Sequence, residues 1–221
     1  MKETPREPQG APGEAKADLR LFFPTPVAVV DVPGLRALNA EFRSIILARR
    51  QSHPGSTDAS NLGGWQSDWD MATWGGLPTT RLLDTVKGFA NKITVTRRGE
   101  PVNVAWKANA WANVNGPGNA NEFHIHPGSA WSGVYYVDDG GIAGNPALGG
   151  ELELKDPRGA APAMYAPHLT YAGPGGPSAG ASELIRPKAG VLVLFPAWLY
   201  HQVRPYRGNA LRISIAFNLS V

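Results

Sequence analysis

Residues 211–219 alternate strictly in chemistry. Leu211, Ile213, Ile215, Phe217 and Leu219 share one parity; Arg212, Ser214, Ala216 and Asn218 share the other. A period of two is the repeat of a β-strand, whose successive side chains point to opposite faces. The segment therefore reads as a strand with an apolar face and a polar face. An arginine on the polar face of a central-looking strand is expensive to bury unless it meets an anion. One candidate anion is a protein carboxylate. Another is a ligand carboxylate, which a guanidinium grips through two parallel hydrogen bonds, with Ser214 on the same face.

The rest of the chain fits a strand-and-turn fold. It holds 26 Gly and 20 Pro in 221 residues, about a fifth of the chain and well above ordinary usage. That argues against a helix bundle. A short strand is expected within 21–32, then a helix over 33–50 with Leu35, Leu38, Phe42 and Ile45 or Ile46 on one stripe. Residues 51–64 read as a loop, followed by a turn-rich stretch holding Trp65, Trp69 and Trp74. A second helix is expected over 79–93, capped by Thr79 or Thr80, with Leu82, Leu83, Val86, Phe89 and Ile93 buried. Residues 102–114 alternate, with Asn109, Trp111 and Asn113 on one side and Ala108, Ala110 and Ala112 on the other. Further strands fall at 123–126, 132–137, 151–154, 191–195 and 201–204, and loops at 140–150 and 156–188. The expected architecture is mostly β with N-terminal helices: two helices, then about eight strands in a jelly roll. Residues 1–20 read as a disordered Pro/Gly/charged tail. Residues 21–221 read as one domain, with helical support over 33–95 and a β core over 100–221.

Composition removes several functions. Without cysteine, the chain has no disulfide framework, thiolate nucleophile or iron–sulfur cluster, so a metal must be held by His, Asp, Glu or backbone oxygen. The formal net charge is +3 with no Lys/Arg run, so nucleic acid is not implied. No run of 18 apolar residues exists, and the N-terminus lacks an apolar secretory core, so no membrane association is expected and the expected location is cytoplasmic.

Five histidines are few enough to weigh singly. His124 and His126, in NEFHIHPGSAW, point the same way in an extended chain and can converge on one ion. His201 ends the apolar run VLVLFPAWLYHQV. Three imidazoles suit Fe(II), Zn(II), Mn(II) or Ni(II). The plainer alternative is two surface histidines and one hydrogen-bonded structural histidine. His53, in a Gly/Ser/Pro loop, reads as a solvated bystander. Glu151 and Glu153 alternate with Leu152 and Leu154, which suits an outward strand face, although a carboxylate there is a candidate metal ligand. Asp138 and Asp139 precede Gly-Gly and read as turn residues.

The ordered set HIHP at 124–127, SGVYYV at 132–137, DPR at 156–158, LFPAWLYHQVRP at 194–205 and RISIAFN at 212–218 resembles a known family, with NLGGWQS at 61–67 adding to it. It resembles the 2-oxoglutarate/Fe(II) dioxygenases of the prolyl-hydroxylase-like branch, and within them a bacterial and phage group carrying these motifs. The likeness spans about residues 20–221. It implies a double-stranded β-helix using Fe(II), 2-oxoglutarate and O2. His124, His126 and His201 would be the ligands and the catalytic centre. Arg212 would clamp the far carboxylate of 2-oxoglutarate, with Ser214 and one or other of Tyr135 and Tyr136 in support. Asn113 would hydrogen-bond the cosubstrate and Trp111 would shape the pocket.

The chain departs from that pattern at His126, where most of the superfamily places a carboxylate. A shifted register is a second option, with His126 as first ligand, Gly128 leaving the next position vacant and His124 outside the metal's direct ligands. A cupin is an alternative, but Ala130 and Trp131 stand where its glutamate is expected. A jelly-roll sugar-binding module is a third, supported weakly by seven Trp. On the substrate side, Lys107 and Arg158 are candidate anion contacts, and His168, Tyr165 and Tyr171 candidate loop contacts. The expected reaction is hydroxylation of a small molecule or of a free or peptidyl amino acid. A homodimer is an open option.

Overall fold

The computed structural model describes residues 22–57, 59–160, 164–169, 180 and 182–221; the expected tail at 1–20 and Tyr171 lie outside them. The strands are β1 Ala28–Asp31, β2 Asn61–Leu62, β3 Trp65–Gln66, β4 Lys107–Asn115, β5 Ala120–His124, β6 Trp131–Asp139, β7 Leu152–Lys155, β8 Ser182–Ile185, β9 Val191–Pro196, β10 His201–Val203 and β11 Arg212–Ser220. The helices are α1 Pro33–Arg36, α2 Asn39–Ser52, α3 Met71–Trp74 and α4 Gly76–Ile93.

Two antiparallel sheets face each other. One runs β1-β9-β6-β11-β4-β3 and the other β2-β5-β10-β7-β8. The chain changes sheet at each step from β4 to β7 and again from β8 to β11. The fold is therefore a double-stranded β-helix, mostly β with few helices, as its sequence implied. The expected loop 156–188 contains β8, whose four residues sit between Gly-, Ala- and Pro-rich segments that mask them.

Period-two alternation builds the core. Ile213, Ile215, Phe217 and Leu219 of β11 are fully buried against Phe42 and Ile46 of α2 and Leu82 and Val86 of α4. Each such side chain stabilises the fold by roughly 1.5–3 kcal/mol relative to exposure. A second cluster lies between the sheets, where Val191, Val193 and Phe195 of β9 meet Leu152 and Leu154 of β7.

Two helix expectations need correction. The helix read over 33–50 is two helices broken at Ala37–Leu38. The second helix begins at Gly76, not Thr79; the Thr79 hydroxyl donates to the Gly75 carbonyl inside the first turn instead of capping it. Ile93, expected buried, is 38% exposed at the helix end. No helix among the described residues is long and apolar enough to cross a membrane.

Candidate metal and anion site

The ladder between β5 and β10 places His124 directly opposite His201. His126 lies two residues beyond His124, its backbone N–H donating to the Ala197 carbonyl at 2.9 Å. The ring centroids are 4.3 Å apart for His124–His201, 4.9 Å for His124–His126 and 5.1 Å for His126–His201. One nitrogen of each ring lies within 4.8 Å of the others, spacing that three imidazoles around one ion require.

The protons are oriented for this. His124 Nδ1 is 2.7 Å from the Glu122 carbonyl, and His201 Nδ1 is 2.8 Å from the Leu199 carbonyl. A carbonyl only accepts, so each Nδ1 carries the proton and each Nε2 keeps its lone pair. Ligating histidines are held in this same way. Burial lowers all three pKa values: His126 to about 4, with His124 adding repulsion, His201 to about 3, and His124 below its ordinary value. The imidazoles are neutral at pH 7, the form that binds metal.

Among the described residues, this grouping contains no carboxylate. Glu153 is engaged elsewhere: its Oε2 accepts from Gln202 Nε2 at 2.7 Å and lies 3.7 Å from Arg204. Glu151 is buried but does not line the cavity beside the histidines.

That cavity, about 460 Å³, lies between the sheets. The register of β11 with β4 and β6 orders the strands beneath it in rows, with Arg212 but neither Asn115 nor Asp139 lining the cavity in the first. Asn115, Arg212 and Asp139 form the first row, and Asn113, Ser214 and Tyr136 the second. Trp111, Ala216 and Val134 form the third, and Asn109, Asn218 and Ser132 the fourth. The histidines stand over the last two rows: His126 packs on Trp111 at 5.7 Å, and His201 on Phe195, the β9 partner of Ser132, at 4.7 Å.

Arg212 is 1% exposed, and among the described residues no carboxylate forms an ion pair with it. Its Nη1 makes long contacts to Asn115 Oδ1 at 3.3 Å and Ser214 Oγ at 3.5 Å, and its guanidinium lies over the Tyr136 ring at 5.4 Å. Burial lowers its pKa, so the charged form is short of a counter-ion. Asp139 is its row partner but accepts instead from the backbone N–H groups of Gly141 at 2.9 Å and Ala189 at 3.1 Å. Arg212 Nε, Asn115 Nδ2 and the Tyr136 hydroxyl are buried without hydrogen-bond partners. Orphaned groups of this kind, gathered around one cation, fit an incoming carboxylate.

The structure separates the two adjacent tyrosines. Tyr136 faces the cavity, and burial raises its pKa. Tyr135 faces the helices, packs on Phe42 at 5.9 Å and donates to Asn39 Oδ1 at 2.7 Å, so of the two tyrosines it is the one that does not line the cavity. Trp111, Asn113 and Ser214 line the cavity. Three expected substrate contacts do not. Lys107 is exposed and donates to the Val221 carbonyl. Arg158 binds Asp156, its Nη2 2.7 Å from Oδ2, and holds that carboxyl down at about 2. His168 is exposed on its loop, next to an equally exposed Leu169. Gln66, Trp69 and Asn218 also line the cavity, and Asn115 adjoins it at Arg212, although the sequence pattern assigns none of them to the site; the alternation in 211–219 puts Asn218 on the cavity face, while Asn115 lies one residue beyond the alternation in 102–114. Tyr206 was also missed. Its hydroxyl lies 2.6 Å from the Gly140 carbonyl and 2.9 Å from the Ala210 carbonyl, fixing the turn that delivers Arg212. Gly140 has φ +65°, and a Cβ there would strike that hydroxyl.

Comparison with known proteins came from three directions. A family model described as "Putative 2OG-Fe(II) oxygenase" matches residues 109–218, the stretch that holds all three histidines and Arg212. No curated protein sequence matches the chain. Among solved structures, a Pseudomonas putida prolyl-4-hydroxylase is similar at TM-score 0.58 and 18% identity, covering 89% of this chain and 92% of its own. A Trichoplax adhaerens prolyl hydroxylase, solved with a peptide fragment of the hypoxia inducible factor oxygen degradation domain, is similar at TM-score 0.59 and 17% identity, over 88% and 83%. HygX from Streptomyces hygroscopicus, solved with nickel and 2-oxoglutarate, is similar at TM-score 0.55 and 12% identity, over 89% and 83%. At these identities the likeness is one of fold.

Proposed function

We propose that this chain is an Fe(II)- and 2-oxoglutarate-dependent oxygenase whose metal is held by His124, His126 and His201. The observation that carries the reading is the pairing of three converging neutral imidazoles with a buried guanidinium that has no ion-pair partner among the described residues, in one cavity. The family match over residues 109–218 supports it. Iron bound there with 2-oxoglutarate supplies the activation of O2, coupled to cosubstrate decarboxylation, that oxidises a C–H bond.

The protein's own residues do the rest. Glu122 and Leu199 carbonyls fix the tautomers of His124 and His201. Arg212 binds the far carboxylate, with Ser214, Asn115 and Tyr136 supplying the hydrogen bonds now unmet. Trp111 and Phe195 wall the histidines and exclude water. His124 serves as a direct ligand because one nitrogen of its ring lies within 4.8 Å of one from each of the other two, and its Nδ1 is already tied to the Glu122 carbonyl. The reaction is hydroxylation of a small-molecule or peptide substrate, and residues 21–221 form the oxygenase domain.

Anaerobic Fe(II) titration with and without 2-oxoglutarate tests the reading. The expected result is a visible charge-transfer band that needs both. Absence of the band, together with absence of succinate formation in air, overturns it; a cupin would bind iron and ignore 2-oxoglutarate.

A further inference from the structure

The cavity floor runs from Arg212 to a row of polar residues beside the histidines. Arg212 and Asn218 lie six residues apart on β11, about 20 Å along the strand. The histidines stand over the two rows nearest Asn218. The Arg212 end is accounted for by the cosubstrate. The far row has no assigned role. There Asn218 faces Asn109 on β4 and Ser132 on β6. Asn218 Oδ1 is buried and has no hydrogen-bond partner. Beside this row, Trp69 is 53% exposed and packs on Trp111 at 6.4 Å, seated there by a bridge between Asp70 and Ala110.

Charge narrows what this end can hold. Among the described residues that line the cavity, Arg212 is the sole permanently charged side chain, with no Asp, Glu or Lys. A zwitterionic amino acid would bring an ammonium with no carboxylate to meet it, at a desolvation cost. Paired carboxamides offer donors and acceptors side by side, the complement of an amide.

Resting on the oxygenase reading, we propose that Asn109, Asn218 and Ser132 form a primary-substrate subsite, with Trp69 as its apolar wall. It takes an uncharged amide-bearing group and rejects free amino acids. Asn218 positions the substrate by hydrogen bonding to its amide.

The test uses the full chain loaded with Mn(II) and 2-oxoglutarate. The probes are N-acetylglycine methylamide, free glycine and methyl glucoside, each followed by the paramagnetic relaxation of its own protons. The amide is expected to relax most. Asn218→Leu and the exposed-site variant Asn109→Ala should each weaken its binding, by about tenfold for Asn218→Leu. Equal or stronger relaxation of glycine or the glucoside overturns the proposal, as does a response unchanged in both variants. A normal anaerobic chelate band with no amide relaxation overturns the subsite alone. A missing band in the unaltered protein overturns the oxygenase reading and the subsite with it.

Discussion

His124 and His201 face each other as register partners across the β5–β10 ladder, with ring centroids 4.3 Å apart and each Nδ1 tied to a backbone carbonyl two residues back. The proposed metal site is thus written into a strand pairing.

Replacing either member of the His-x-His pair should have the same result. His124→Ala and His126→Ala should each weaken iron binding by more than the roughly 10–100-fold typical of losing an outer partner. Metal content after dialysis measures it. Iron retained by His124→Ala would instead make His124 a supporting residue and His126 the first ligand.

Arg212→Ala should weaken 2-oxoglutarate binding at least about tenfold, as expected for a lost charge-assisted hydrogen bond, and iron binding far less. Arg212→Lys should restore it only in part, because an ammonium lacks the planar fork. Chelate-band titrations at fixed iron separate the effects; a larger loss of iron than of 2-oxoglutarate would remove Arg212 from its role.

The adjacent tyrosines should part company under the same substitution. Tyr135→Phe loses the Asn39 bond and should cost about 1 kcal/mol of stability while sparing 2-oxoglutarate. Tyr136→Phe removes a buried hydroxyl with no partner, so stability should hold or rise while 2-oxoglutarate binding falls. Thermal melts and the chelate titration together check both halves.

Stability of the metal-free protein should fall in acid. His201 and His126 titrate near 3 and 4 in the fold, against an ordinary value of 6.5. Between those limits the unfolded chain binds more protons than the folded one, so stability rises with pH there. The stabilisation is complete above about pH 6.5 and is lost progressively as pH falls toward 4 and then 3. Melting temperature against pH should show this slope, shallower in His201→Gln; a flat profile across that window would contradict the buried, neutral state.

Much of the site was legible in the chain. Alternation in 211–219 separated the core face from the face carrying Arg212, Ser214 and Asn218, and alternation in 102–114 did the same for Trp111 and Asn113. Both hold because a strand inside a sandwich must divide its side chains between two environments. The His-x-His spacing likewise required its two rings to share a side. Tyr135 and Tyr136 were not separable this way. Adjacent aromatic residues satisfy either parity, and only pairing with β11 decides which one enters the cavity. A bulge at Val137 then adds one residue to β6, which puts Asp138 opposite Ile213 and Asp139 opposite Arg212. Lys107, Arg158 and His168 had suitable chemistry but no local pattern to place them, and long-range packing put them elsewhere.

By itself, then, the sequence determined which residues share a face and that any metal here must be held by His, Asp, Glu or backbone oxygen, since periodicity and side-chain chemistry are local. Tertiary structure alone decided that His201 meets His124, that Arg212 has no ion-pair partner among the described residues, and that Asn218 lines the same cavity. Those facts depend on register between strands far apart in the chain, which is set by turns, bulges and the packing of both sheets at once.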